Sequence, residues 1–313
     1  MKSASPTDAL TARTARIAAL GYDYPSQPKR DVRACNLCGS DRFVVLGRRD
    51  RYGYAAEARG CLSCGLVFLA PVMTEDAYAQ FYQRTYRPLV SAYHGRLIDH
   101  STLQDEQREY AADRAELIGE YVRGHGCRTL LDIGGSTGVV AHVWAKAFEL
   151  EATIIDPAPL EIAEAQRLGL ETITGLVEQY DPGDRRFDVV VMCQTVDHLL
   201  DIAATLHAVR RFLTANGVFF IDIVDLRAAY LRHWSLETAI KIDHPYYLTD
   251  EVMRAYLARA GFAVQRAEFA ADQLHIGYVC RPSAPDATTR PDPASVTALF
   301  REIRYVQNAP AVR

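Results

Sequence analysis

The sequence has no long apolar run. None of its 313 residues sits in a stretch approaching the eighteen or so apolar positions a membrane helix needs. The N-terminal MKSASPTDALTARTARIAALGYDYP also lacks the continuous apolar segment of a secretory signal. The expectation is a cytoplasmic protein without membrane contact. A charge excess is missing too, since 35 Lys and Arg face 39 Asp and Glu for a formal net charge of −4. Wholesale nucleic-acid binding needs a basic footprint, so this balance argues against it. One stretch departs from the balance. Between Lys29 and Gly60, Lys29, Arg30, Arg33, Arg42, Arg48, Arg49, Arg51 and Arg59 outnumber Asp31, Asp41, Asp50 and Glu57. The plain reading is a solvated face; the functional reading is a patch for an anionic substrate or an RNA. Hydrophobic content of 49% and charge of 24% suit one large domain plus a small one.

Cysteine is present in a pattern. Cys35 and Cys38, then Cys61 and Cys64, form two Cys-x2-Cys pairs, each followed by glycine. Cys127, Cys193 and Cys280 lie scattered in apolar surroundings and read as small core hydrophobes. A single Cys-x2-Cys could be redox-active, but two close pairs match four-thiolate zinc. Four thiolates fill a tetrahedral sphere, so such zinc is structural and the chemistry lies elsewhere. A module this small needs the metal for stability.

The chain divides into an N-terminal extension (1–30), the cysteine module (31–70), a helical lid or linker (71–126), a large domain (127–281) and a tail with a short helix (282–313). Residues 1–30 read as loosely held. Thr74 is a candidate N-cap for TEDAYAQFYQRTY, and STLQDEQREYAADRAELIGEYVRG reads as an amphipathic helix. From residue 128 strands alternate with helices. That predicts an α/β fold, a doubly wound and mostly parallel sheet with helices on both faces. The last two strands, FAVQRAEFA and LHIGYVC, are too close for a crossover, so they pair antiparallel and one strand runs reversed.

Between the first of these strands and its helix lies DIGGSTG, residues 132–138. Neither register fits the Gly-x-Gly-x-x-Gly of dinucleotide binding. It fits Asp-x-Gly-x-Gly-x-Gly with Ser136 at the middle glycine. With LLDIGGSTG come Asp156 in TIIDP, FDVVVMCQTVDHLLD, and DHPYYLTDEVMRAYLARAGFAV. On these four features residues 128–280 resemble a class I S-adenosylmethionine-dependent methyltransferase, a Rossmann-like seven-stranded fold. The resemblance implies that Gly134, Gly135, Ser136 and Gly138 let the loop pass under the cofactor's amino-acid end. Asp132 would hold the loop or the ammonium, and Asp156 the ribose hydroxyls. Leu176 and Val177 would flank adenine, with Cys193 and Gln194 beside the sulfonium. S-adenosyl-L-homocysteine would be the product.

The order of zinc ribbon, CGLVFLAP, FYQRTYR and core resembles bacterial enzymes that methylate sugars or related metabolites in polysaccharide and natural-product pathways. The sugar C-methyltransferases of this type carry a further C-terminal domain, which moves the expectation from C-methylation of a keto sugar towards O-methylation. An alcohol nucleophile needs a base, and histidine titrates in the right range. His244, in KIDHPYYLT beside Tyr246 and Tyr247, is the first choice, followed by His198 and His275. Tyr82 and Tyr86 could line the substrate pocket. The partner is then a small molecule, a sugar or nucleotide sugar, and the chain a monomer or homodimer. Two alternatives stay open: an rRNA or tRNA methyltransferase using the basic ribbon, and a non-catalytic cofactor-binding partner subunit.

Overall fold

The computed structural model describes residues 6–308. Helix α1 (Pro6–Ala18) opens it. This extension is more firmly held than its composition suggests: Ile17 and Tyr24 are buried, and Arg16 Nε donates to the Ala92 carbonyl at 2.8 Å. The part of the extension before Pro6 lies outside the described residues.

The cysteine module holds β1 (Lys29–Arg30), β2 (Phe43–Arg49), β3 (Ala55–Cys61), β4 (Val67–Leu69) and β5 (Val72–Met73). Strands β2, β3 and β4 form an antiparallel meander. The glycine after each cysteine pair closes a knuckle with positive φ, 72° at Gly39 and 78° at Gly65, a region only glycine enters freely. Strand β3, AAEARGC, has no apolar run, so its sequence hides it. It forms because its small residues alternate inward against the meander. The sheet gains a fourth strand from far downstream, Tyr246–Tyr247, paired antiparallel to β4. The module is thus stitched to the large domain by main-chain hydrogen bonds.

Three helices follow. Thr74 caps α2 (Glu75–Arg84) by accepting from the Ala77 amide. Then come α3 (Tyr86–His94), which the sequence pattern does not separate from α2, and α4 (Gln104–Val122).

The large domain runs β6 (Thr129–Ile133), α5 (Val139–Phe148), β7 (Glu151–Asp156), α6 (Pro159–Arg167), β8 (Glu171–Thr174), β9 (Phe187–Met192), α7 (Ile202–Phe212), β10 (Leu213–Val224), α8 (Leu226–His233), α9 (Leu236–Ala239), β11 (Tyr246–Tyr247), α10 (Asp250–Arg259), β12 (Phe262–Phe269) and β13 (His275–Pro282). Its seven strands order as β12-β13-β10-β9-β6-β7-β8. All neighbours are parallel except those of β13, which runs reversed between β12 and β10. Val189, Val190, Val191 and Met192 of β9 are buried on both faces, as a covered parallel sheet requires. The chain moves outward from β6 through β7 and β8, then returns to β9 on β6's other side. Such a reversal opens a crevice at the carboxyl ends of β6 and β9, where ligands of doubly wound sheets bind. Finally α11 (Pro293–Asn308) docks back on the cysteine module: the Phe300 ring lies so close over Gly60 that a Cβ there would stand 2.6 Å from it.

Candidate functional site

A cavity of about 580 Å³ occupies that crevice, roofed by α2, α3 and α4. Its floor is the loop after β6. Gly134 has φ 71°, and a Cβ on it would stand 2.5 Å from the Thr195 side chain, so only glycine fits. Ser136 takes the left-handed region at φ 50° despite its side chain. Its amide donates to Asp156 Oδ2 at 3.0 Å, while its Oγ is buried without a partner. Gly138 stands apart from the cavity. A Cβ there would strike Ile154, Leu170 and Ala165, so this glycine serves the packing of α5's first turn.

Two carboxylates at adjacent strand tips dominate the floor. Asp132, ending β6, is 1% exposed, and neither of its carboxyl oxygens has a hydrogen-bond partner. Burial, then the nearby Asp156 carboxylate, pushes its pKa up to about 7. Asp156, ending β7, accepts the Ala158 amide at 2.8 Å as well as that of Ser136. Burial still holds it up at about 6, against the downward pull of both amides. A buried carboxylate with both oxygens unpaired is costly unless a ligand supplies the donors. The amino-acid ammonium of S-adenosylmethionine fits that vacant valence, and Asp156 keeps lone pairs free for hydroxyls. Leu176 and Val177 line the same cavity beyond β8, and Cys193 and Gln194 line it at the end of β9.

The lid side carries Tyr82, Tyr86 and His198. The ring centroids of Tyr82 and Tyr86 lie 5.7 Å and 5.9 Å from that of His198. The contacts around His198 favour one tautomer. Tyr82 OH donates to the Asp243 carbonyl at 2.8 Å, and its oxygen also contacts His198 Nδ1. That nitrogen is also 3.1 Å from the same carbonyl, which can only accept. A proton on Nδ1 suits that carbonyl and would leave the Nε2 lone pair free. Burial, then the neighbouring His244, pushes the His198 pKa down to about 4. Near neutral pH it is an uncharged imidazole.

His244 lies one layer behind. It is 5% exposed and does not line the cavity; its ring centroid is 4.3 Å from that of His198. Its Nδ1 meets Asp197 Oδ2 at 2.6 Å and its Nε2 meets Asp243 Oδ2 at 3.3 Å. His275 also stands outside the lining, paired with Asp272 at 2.5 Å and 3.4 Å from the Gln194 side-chain amide. Tyr246 and Tyr247 are absent from the lining as well. Tyr246 OH donates to the Leu200 carbonyl at 3.0 Å and Tyr247 OH to the Lys241 carbonyl at 2.6 Å.

Sequence reasoning missed several members. Tyr110 of α4 lines the cavity and donates to Asp222 Oδ2 at 2.5 Å, while Asp222 Oδ1 accepts the Gln194 amide at 2.6 Å. The signal was there: Asp222 is the lone acid inside GVFFIDIV. Asp197 and Asp243, which hold His244, had no such mark.

Outside the lining of this cleft, the four module cysteines bring their sulfurs within 4.8 Å of one another. Cys35 and Cys64 sulfurs are 3.5 Å apart, and those of Cys38 and Cys61 3.6 Å. All are free thiols. Tetrahedral metal with bonds of about 2.3 Å would set the sulfurs about 3.8 Å apart, so the donor set fits zinc.

A seven-stranded sheet with one reversed strand, and an acid-to-glycine loop at its switch point, defines a class I S-adenosylmethionine-dependent methyltransferase domain. A family model described as "Methyltransferase domain" matches residues 81–267. The chain belongs to that family. A curated ubiquinone biosynthesis O-methyltransferase of Azorhizobium caulinodans is 24% identical over 163 residues, 44% of this chain. The chain spans 63% of that relative's length, less than two thirds. Among solved structures, the CcbJ methyltransferase of Streptomyces caelestis aligns with TM-score 0.45 and 16% identity, over 57% of this chain and 90% of its own. An S-adenosylmethionine-dependent methyltransferase of Clostridium acetobutylicum aligns with TM-score 0.47 and 15% identity, over 66% of this chain and 99% of its own. No helix among the described residues is long and apolar enough to cross a membrane.

Proposed function

We propose that this chain transfers a methyl group from S-adenosylmethionine to a hydroxyl of a small metabolite, a sugar or sugar-containing intermediate, with His198 as general base. The observation that carries the reading is Asp132: a buried carboxylate at the switch point with both oxygens unpaired, beside Asp156 on the next strand. When bound, the cofactor supplies the electrophilic methyl and the protein supplies alignment and a dry site. Asp132 receives the ammonium, Asp156 the ribose hydroxyls, and Leu176 and Val177 the adenine. Tyr82 and the Asp243 carbonyl keep the His198 proton on Nδ1, so Nε2 takes the acceptor's hydroxyl proton as the oxygen attacks. His244, gripped by Asp197 and Asp243, backs His198 as a positioning residue.

Zinc in the four-cysteine site is structural in this reading, since no coordination position is left open. The sugar assignment is supported by the order of ribbon, lid and core. The RNA alternative is weakened because part of the module's basic charge is engaged internally. Arg48 and Arg59 pair with Glu57, and Lys29 donates to backbone carbonyls. The deciding experiment is calorimetric titration with S-adenosylhomocysteine, with NAD as control, followed by transfer of labelled methyl to nucleotide sugars and to RNA. Binding of S-adenosylhomocysteine alone and label in a nucleotide sugar is the expected result. Binding of NAD in its place would overturn the reading.

A further inference from the structure

Two segments distant in sequence converge on the C-terminal end of α3. Arg13 of α1 and Arg51 of the β2–β3 turn each bring a guanidinium carbon to 4.2 Å from the Tyr93 ring centroid. The Arg16 guanidinium lies against Gly95. His94 packs edge to face on Tyr93 at 5.1 Å, and Arg96 follows two residues on. Arg13, Arg16 and Arg51 thus gather on residues 93–96, which add His94 and Arg96. Opposing acid is scarce. Arg96 pairs with Glu106 at 2.7 Å. Among the described residues no carboxylate lies within 4.0 Å of Arg13, Arg16 or Arg51. Arg51 Nε is buried without a hydrogen-bond partner, although the guanidinium meets Tyr93 and feels the Asp243 carboxylate; against the downward pull of burial, these help raise its pKa.

A helix C-terminus attracts a cation, and Arg16, bonded to the Ala92 carbonyl, meets that need. It does not account for Arg13 and Arg51, whose like charges, both 4.2 Å from the Tyr93 centroid, repel one another. Their fields overlap at one point: burial, then Arg51, Arg96 and Arg13, push the His94 pKa down. Two of its members reach the cleft: His94 and Arg96 line the cavity, while Arg13 and Arg51 lie outside its lining, and Arg51 acts electrostatically on Tyr86, whose ring touches His198.

We propose that this cationic ring binds a phosphoryl group carried by the methyl acceptor. The acceptor is then a phosphate ester or a diphosphate-linked metabolite. Arg13, Arg51, His94 and Arg96 hold its anionic end while its hydroxyl reaches His198. The inference rests on the methyltransferase reading of the cleft. Guanidinium forks arriving from several directions match the several oxygens of a phosphate better than the two of a carboxylate. The compact ring at a pocket mouth suits a small anion rather than the extended track a nucleic-acid backbone needs. It also gives the cysteine module a share in substrate binding, through Arg51.

The test is calorimetric titration of the zinc-loaded full chain, saturated with S-adenosylhomocysteine, with UDP and with inorganic pyrophosphate. Both probes should bind, and more weakly as salt rises. The Arg13→Ala, Arg51→Met double variant should bind them at least tenfold more weakly, with unchanged affinity for S-adenosylhomocysteine. Should the Arg51 change disturb the module, Arg13→Glu, on a half-exposed helix face, should give the same loss alone. Failure of both probes to bind, or equal binding by the variants, would overturn the inference. Failure of S-adenosylhomocysteine itself to bind would strike the methyltransferase reading instead, so the two are separable.

Discussion

Two regions of this molecule take ionisable groups out of water in opposite ways. In the cysteine module four sulfurs face one another, all within 4.8 Å, as the donors to a single ion would. At the strand tips Asp132 faces an open cavity with both oxygens unpaired. A closed donor set is satisfied once and then holds the fold. An open one stays costly until a ligand arrives, and so it binds. The contrast separates the residues that keep the chain folded from those that do its chemistry, and each side of it can be broken.

The largest effect belongs to the closed site. Replacing Cys38 and Cys61 by serine together should release the metal and unfold the module. Structural zinc carries about 10–16 kcal/mol in small zinc domains. Because β11 and α11 pack on this sheet, the loss should spread to the large domain. Metal content and thermal unfolding measure it. A double variant that keeps both would show that these sulfurs hold no metal.

The next effect belongs to the base. His198→Asn should lower kcat about 10²–10⁴-fold, the range of a positioned base, and leave S-adenosylhomocysteine affinity within about twofold. The wild-type kcat should hold steady down to mildly acid pH and fall through about 4, where His198 becomes protonated, rather than near 6.5. Full activity in the variant would move the base elsewhere.

How far the sequence anticipated this contrast depends on whether a residue's role is local. The positions of the cysteine knuckles, of the DIGGSTG loop after its strand and of Asp156 at the end of the next one follow local motifs, and each position was readable from its own neighbours. The reversed β13 was readable too, because a short connection permits only an antiparallel partner. His244 was not. Its neighbours in sequence suggest a loop over the substrate, but Asp197 and Asp243 draw it inward behind His198. Asp243 is its immediate neighbour in sequence, but Asp197 lies 47 residues away, and a buried pair of that kind leaves no local pattern. The same holds for Arg13, Arg51 and His94, which meet only because α1 and the β2–β3 turn both fold onto α3. Strand β3 and the break between α2 and α3 escaped for a simpler reason: small residues and a continuous helical period leave no mark.

Asp132 sharpens the comparison from the open side. Asp132→Asn should weaken S-adenosylhomocysteine binding by roughly 10–100-fold, the scale of one charge-assisted hydrogen bond of about 1.5–3 kcal/mol. The unliganded variant should lose no stability, and at pH 8 it should gain some. The sign follows from the pKa of about 7 in the folded chain, above its unfolded value. Such a carboxyl favours the folded state while protonated and withdraws that stability as pH rises through about 7. Asparagine stays neutral throughout. A variant that melts earlier at pH 8 would show that Asp132 is part of the framework rather than the binding face.

The smallest effect is a proton. In the empty cleft Asp132 is largely protonated at pH 6, since its pKa is about 7. An ammonium beside it favours the charged form, so its pKa must fall when S-adenosylhomocysteine binds. Binding at pH 6 should therefore release a proton, and the release should fade towards pH 8, where the group is already ionised. Affinity should rise with pH up to about 7 and then level off. Titrations in buffers of differing ionisation enthalpy count the protons directly. A proton count of zero at pH 6 would place the ammonium on some other group. It would leave Asp132 as unexplained as it is without a ligand, because nothing else among the described residues satisfies its oxygens.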